Sequence, residues 1–303
     1  MSALRFGIDL GGSKIELIAL LVDNSRSKSG KVVYQKRIET PKGDYLAIVQ
    51  AIASLVFEAE VELGQKGRVG VGIPGAISDK TGRIKNANST CLIGQDLKGD
   101  LQQALSRVVT LANDANCFAL SEAMDGAGQG ANVVFGVIIG TGCGGGVVVN
   151  GAILNGVNAI GGEWGHNPLP WADKTDTLLP CYCGLKGCNE TFLSGSGFEA
   201  HYHLRTGNQK TAKEIVALGQ QGDAIAIPLL EAYTVWLAKG LASVINLIDP
   251  DVIVLGGGMS NVESLYCDVP NIWQKWVFSD QVNTLLLPPK YGDSSGVRGA
   301  AWL

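Results

Sequence analysis

The chain has 303 residues, 46% of them hydrophobic, with 24 basic and 28 acidic side chains and a net charge of −4. That length suits one large or two medium domains, with ample apolar material for their cores. The nearly balanced charge offers no electrostatic footprint for nucleic acid, and no run approaches the roughly 18 apolar residues of a membrane span.

Taken in order, Leu4 to Leu10 reads as a buried strand, broken by Gly11-Gly12-Ser13-Lys14, and Ile15 to Val22 as a second. Val32 to Glu39 supplies a third, led by the β-formers Val32-Val33-Tyr34. Over 44–63, Tyr45, Ile48, Val49, Ile52, Leu55, Val56 and Ala59 recur at helical spacing. Val69 to Ile73 is a strand ending at Pro74-Gly75, Asp100 to Ser106 a short helix, and Val108 to Leu111 a strand running into Ala112-Asn113-Asp114-Ala115-Asn116. An alanine-rich helix is expected over 115–129. The pattern then restarts, with a strand from Val133 to Ile139, a glycine turn at 140–145 and a strand from Gly146 to Asn150. A long helical stripe over 224–247 precedes a strand, Asp251 to Leu255, halted by Gly256-Gly257-Gly258. Two copies of strand, glycine turn and strand, each followed by helices and further strands, imply a duplicated α/β fold. The switch between halves falls near 115–130, and the last helix, Ser295 to Leu303, is expected to return to the first half.

The 41 glycines fall in clusters at 70–75, 140–146, 161–165 and 256–258, which suggests backbone approaching a ligand closely. Gly140-x-Gly142-x-x-Gly145 has the spacing of a dinucleotide fingerprint, but Val147-Val148-Val149 follows it where that fingerprint requires a helix. A glycine hairpin still exposes successive N–H groups to an anion, and two such hairpins facing one another hold a polyphosphate from both sides. The first is preceded by Asp9 and contains Ser13 and Lys14. Asp9 reads either as an anchor for hydrated Mg²⁺ or as a turn-capping carboxylate. Asp114 is likewise either the N-cap of the following helix or a general base for a substrate hydroxyl that attacks phosphorus. Asn88, Asn113, Glu163, His166 and Glu190 would then line a pocket for a neutral polyhydroxyl ligand.

His166, Cys181, Cys183 and Cys188 are separated by 14, 1 and 4 residues and suit a closed tetrahedral Cys₃His zinc site. The chain opens without a secretory signal, so reduced thiols, a cytoplasmic location and metal binding are expected in place of a redox cluster. Four protein ligands leave no open position, so the zinc shapes the loop and performs no chemistry. His166 is expected to place one ring nitrogen on zinc and the other on substrate. Cys91, Cys117, Cys143 and Cys267 are isolated and expected in buried apolar packing.

Asp9-Leu-Gly-Gly-Ser-Lys14, Asn113-Asp-Ala-Asn116, Gly140-Thr-Gly142, Gly162-Glu-Trp-Gly-His166 and Cys181-Tyr-Cys-Gly-Leu-Lys-Gly-Cys188 occur in the order of ROK-family sugar kinases, and the resemblance covers essentially the whole chain. Gly72 to Ser78, Lys85 to Thr90 and Gly292 to Trp302 resemble bacterial fructokinases of the manno(fructo)kinase type. The resemblance implies an actin-like fold of the sugar kinase/Hsp70 type with two lobes around a central cleft. The small lobe would be 1–116 plus 293–303, and the large lobe 117–292 would carry the zinc loop. It implies ATP with Mg²⁺, structural zinc, and Asp114 as the base for the 6-hydroxyl of a hexose. Asn113, Glu163, His166 and Glu190 match sugar-contacting positions. Gly11, Gly12 and Gly142 match phosphate-loop positions, with Ser13, Lys14, Gly140 and Thr141 beside them, and Gly256 and Gly257 match the adenosine side. Ser13 stands where threonine is common in the family, with the hydroxyl retained. The expected activity is ATP-dependent 6-phosphorylation of fructose, with mannose as a further substrate. An N-acetylglucosamine or glucose kinase is the alternative within the class. A sugar-responsive regulator and a chaperone-like ATPase are disfavoured, the first for want of a DNA-binding segment. The partners are ATP and a small sugar, without nucleic acid or membrane; the resemblance also implies a homodimer, with no interface legible.

Overall fold

The computed structural model describes residues 3–22, 29–78, 80–87 and 89–303. In chain order the elements are β1 (Ala3–Leu10), β2 (Lys14–Val22), β3 (Gly30–Glu39), α1 (Tyr45–Leu63), β4 (Arg68–Ile73), β5 (Ala76–Ile77), β6 (Ile84–Lys85), α2 (Leu97–Leu105), β7 (Val109–Asn113) and α3 (Asp114–Met124). There follow β8 (Val133–Ile139), β9 (Cys143–Val149), β10 (Ala152–Ile153), α4 (Asn189–Leu193), α5 (Gly195–Thr206), α6 (Ala212–Gln220), α7 (Ala226–Ile248), β11 (Val252–Gly256), α8 (Leu265–Trp273), β12 (Leu285–Leu287) and α9 (Ser295–Trp302). They form two compact units. The first is Met1–Gly130, Gly146–Gly161 and Lys290–Leu303; the second is Ala131–Gly145 and Gly162–Pro289.

The first unit is built on a sheet of order β3-β2-β1-β4-β7. β1 and β2 form an antiparallel hairpin that pairs Asp9 with Glu16, while β1, β4 and β7 run parallel. Parallel neighbours need long crossovers, and α1 and α2 lie in those connections. Helix α1 starts where Asp44 accepts the Ala47 N–H at 3.0 Å, and it stops at Gly64 in the left-handed region. Ile48, Ile52 and Val56 of α1 and Leu101 of α2 bury against Phe6, Ile8, Ile15 and Leu17 of the hairpin. On the other side α9 lies against β1 and β4. The approach is close enough that a Cβ on Gly7 would sit 2.1 Å from Val297 O, and one on Gly70 1.9 Å from Ala300 O. Some of the clustered glycines therefore serve helix-on-sheet packing and not a ligand.

The second sheet has the order β10-β9-β8-β11-β12, with β8, β11 and β12 parallel. In the second unit α7 buries Tyr233, Trp236, Leu237 and Leu241 and packs on α8 and α6. The hairpin followed by parallel strands thus occurs twice. A strand follows the glycines at 140–142, as the rejection of a dinucleotide fingerprint requires. Helix α3 ends at Met124, five residues short of the expected 129, where Gly126 N–H turns to Ser121 O and Gly128 N–H to Glu122 O; the side chains of Glu122 and Asp125 bind residues 290–302. The first unit accordingly runs on to Gly130, beyond the expected boundary at 116. Cys117 and Cys143 are buried, but Cys91 is half-buried and Cys267 is exposed, contrary to expectation. Among the described residues no helix is long and apolar enough to cross a membrane.

Candidate functional site

In the first unit the turn between β1 and β2 is closed by Gly11 N–H donating to Lys14 O at 3.0 Å. Thr40 fastens it from outside: its N–H donates to Ser13 O at 3.0 Å and its hydroxyl to Gly11 O at 2.7 Å. Gly12 and Ser13 are exposed, so their backbone faces outward from this frame. Asp9 precedes the turn. Burial, then the nearby Asp114 and Glu16 carboxylates, push its carboxyl up to about 6, against weaker opposition from Lys14 and Arg37.

Asp114 is the first residue of α3, and Asn113 is the N-cap. Asn113 Oδ1 accepts the Ala115 N–H at 2.9 Å, while its Nδ2 donates to Gly75 O at 2.9 Å and ties the turn after β4 to the end of β7. The capping role weighed for Asp114 therefore falls mainly to its neighbour, although Asp114 Oδ1 also accepts from Ala115 N at 2.8 Å. Asp114 keeps an exposed face, yet the surrounding protein raises its carboxyl pKa by burial, with hydrogen bonds opposing. Asn88 lies outside the described residues.

In the second unit the 140–142 turn is closed by Gly140 N–H to Gly142 O at 3.0 Å. Gly195 N–H donates to Gly140 O at 2.7 Å and the Ser196 hydroxyl to Thr141 O at 2.6 Å, so the start of α5 is fastened to this turn. Glu190, in the first turn of α4, accepts the Cys143 N–H at 2.9 Å. Gly257, with φ of 81°, passes so near Ile139 and Gly140 that a Cβ would fall 2.6 Å from Ile139 O. Gly140, Thr141, Gly195, Ser196, Glu199, Gly258 and α6 line a pocket of 770 Å³. Residues 195–220 were missed as site candidates. Their signal was Ser194 before Gly195-Ser-Gly197, an N-cap opening a helix in glycine, and Ser194 Oγ does cap Gly197 N at 2.9 Å.

The same unit gathers His166, Cys181, Cys183 and Cys188, whose ligand atoms all lie within 4.8 Å of one another. Backbone bonds set this knot: Cys181 N to Leu185 O at 2.8 Å, Gly184 N to Cys181 O at 3.0 Å and Leu169 N to Gly187 O at 2.9 Å. Cys181 Sγ is 3.4 Å from His166 Nδ1, and Cys183 Sγ is 3.6 Å from Cys188 Sγ. A tetrahedral ion with bonds of about 2.0–2.3 Å requires ligand–ligand edges of roughly 3.5–3.8 Å, so the four residues fit one ion. The Leu185 N–H lowers the Cys183 pKa, while burial pushes Cys188 up to about 12. His166 Nε2, expected to face substrate, meets the exposed Tyr182 hydroxyl at 2.8 Å. Glu163 is exposed beside Gly162.

The ROK family model matches residues 5–303 of this chain. An N-acetyl-D-glucosamine kinase of Photobacterium profundum is 40% identical over 305 residues, covering 99% of both chains. One from Vibrio cholerae gives the same identity and coverage. The ROK hexokinase structure from Thermus thermophilus superposes with a TM-score of 0.84 at 31% identity, covering 100% of this chain and 97% of that one. A Streptomyces griseus ROK glucokinase, solved with glucose and AMPPNP, gives 0.74 at 27% identity, over 99% and 98%. The duplicated α/β fold is therefore of the actin-like, sugar kinase/Hsp70 type. The expected likeness to fructokinases and manno(fructo)kinases is overturned: these full-length relatives are N-acetyl-D-glucosamine kinases. That expectation rested on the short segments 72–78, 85–90 and 292–302, whereas the identity to these relatives runs over 99% of the chain.

Proposed function

This chain belongs to the ROK family, and on that premise we propose that it transfers the γ-phosphoryl group of ATP to a hydroxyl of N-acetyl-D-glucosamine. The observation that carries the sugar is the 40% identity to N-acetyl-D-glucosamine kinases over 99% of both chains. Asp114 acts as general base, taking the proton of the sugar's 6-hydroxyl as it attacks phosphorus. A carboxyl whose pKa is raised by burial suits that task better than an ordinary one, because its basicity is closer to working pH. Asn113, locked by the Gly75 carbonyl and the Ala115 N–H, holds the start of α3 so that Asp114 is presented at a defined point.

The exposed turn at Gly12 and Ser13, with Lys14, binds phosphate oxygens in the first unit, and Gly11 closes that turn through its N–H bond to Lys14 O. Gly140, Thr141 and Gly142 do so in the second, and the 770 Å³ pocket beside Gly256 and Gly257 takes the nucleoside. Asp9 is the residue that would hold Mg²⁺ through its waters, and the cation would neutralise phosphate charge. Glu163, His166, Glu190, Asn113 and Asn88 bind sugar hydroxyls, with a hydroxyl replacing that of Tyr182 on His166 Nε2. His166 Nδ1 and the thiolates of Cys181, Cys183 and Cys188 would hold zinc, which supplies only rigidity to the loop carrying His166. Its charge would also keep Cys188 ionised despite burial.

The test is ADP release with Mg-ATP over N-acetyl-D-glucosamine, glucose, fructose and mannose. The expected result is a kcat/KM for N-acetyl-D-glucosamine at least ~10-fold above the others, and a higher value for any other hexose would replace the substrate. Asp114→Asn should lower kcat by about 100-fold or more while calorimetry still detects the sugar. Undiminished turnover would remove Asp114 from the base role.

A further inference from the structure

A pocket of 530 Å³ lies wholly within the first unit, against β7, α2 and the loop at 155–159. Its position is set by β7, which is an edge strand of its sheet. Val109 N–H points away from β4, to Gln102 Oε1 at 3.3 Å. In a parallel ladder the N–H and C=O of one residue face the same side and alternate along the strand, so those of Leu111 face the same free edge as Val109. Leu111 lines the pocket with Ala76 and Ala112, an apolar wall, while Gln102 and Asn155 add carboxamides. Asn113 also lines it, one residue before Asp114.

We infer that this pocket receives the 2-acylamino substituent of the sugar, an inference that rests on the kinase reading above. A secondary amide carries one N–H and one C=O, and the Leu111 edge offers the complement of both, as it would to an added strand. Gln102 Oε1 is held by Val109, which leaves the amide hydrogens of Gln102 as further donors to the acyl carbonyl. The acyl methyl rests on the wall of Ala76, Leu111 and Ala112. Asp96 and Lys98 bring one charge of each sign, so the pocket suits a neutral group. A 2-hydroxyl alone would leave the space to water. At about 30 Å³ per water, 530 Å³ is also far more than an acetyl group fills, so longer acyl chains fit.

Two measurements decide this. With the wild-type enzyme, N-propionyl- and N-butyryl-glucosamine should be phosphorylated with kcat/KM within about threefold of the N-acetyl sugar. Ala112→Leu fills the pocket and Gln102→Leu removes its donors. Each should lower the ratio of kcat/KM for N-acetyl-D-glucosamine to that for glucose by about tenfold or more. If Ala112→Leu does not fold, Gln102→Leu and the acyl series on wild type still decide. Turnover of N-acetyl-D-glucosamine with an unmoved ratio, or with longer acyl chains rejected, overturns the subsite alone. Turnover of other hexoses but not of N-acetyl-D-glucosamine overturns the kinase reading and the subsite with it.

Discussion

Asp9 and Asp114 are read from sequence as the end of a strand and the start of a helix, and nothing local says that they influence one another. In the fold, burial and then the Asp114 carboxylate raise the Asp9 pKa. A carboxyl pushed from 3.8 up to about 6 binds its proton more tightly folded than unfolded. Its favourable contribution is therefore complete below about pH 4 and is lost as pH rises through about 6. At about 1.4 kcal/mol per unit, the penalty at neutral pH is at most about 3 kcal/mol. Asp9→Asn should accordingly raise Tm at pH 8 in nucleotide-free protein without added magnesium, with the difference closing near pH 4. Equal Tm values at both pH values would mean that water screens the pair more than the packing implies. Tyr182 is the converse case, a residue within the cysteine motif with no role assigned from sequence, which meets His166 Nε2 because the 181–188 turn folds it back.

At the scale of elements, the 166–188 loop and the two glycine hairpins were the most legible features. Their partners are close in sequence, so spacing alone constrains them. His166, Cys181, Cys183 and Cys188 converge as expected. A chelator strong enough to strip structural zinc should lower Tm by several degrees and open residues 166–188 to protease, because ligand binding and local folding are one equilibrium. Cys183→Ser should reproduce both effects with metal content falling from about one ion per chain to well below it. Full metal content and unchanged proteolysis in that variant would remove Cys183 from the ligand set. The pocket formed by α5, α6 and the turns at 140–142 and 257–258 was not legible. Its walls are joined by bonds such as Ser196 to Thr141, across 55 residues, and no periodicity carries such a partnership.

Over the whole molecule, the return of the chain end to the first unit depends on a buried hub at the end of α3. Asp125 accepts from Arg298 Nε at 3.0 Å, Trp302 Nε1 at 3.2 Å and Gly30 N at 3.1 Å, while the Arg298 guanidinium sits 4.0 Å over the Tyr291 ring. The ion pair is almost sealed from water, with side-chain exposures of 7% and 1%. Arg298→Met would strand the Asp125 charge and should cost about 3–5 kcal/mol in denaturant unfolding. Adding Asp125→Asn should recover part of that loss, and a single-variant loss under about 1 kcal/mol would show that water reaches the pair.

The amino-acid sequence by itself determined the duplicated α/β plan, the strand-and-turn hairpins, the gathering of His166 with three cysteines and the family, because each rests on local periodicity or short spacing. The hexose was misjudged at that level. Tertiary structure alone decided which glycines pack helix on sheet, which buried surroundings and carboxylates raise the Asp9 pKa, and that β7 leaves a free edge beside Asn113. Those properties depend on distances between residues far apart along the chain, and such distances exist only once the sheets and helices have packed.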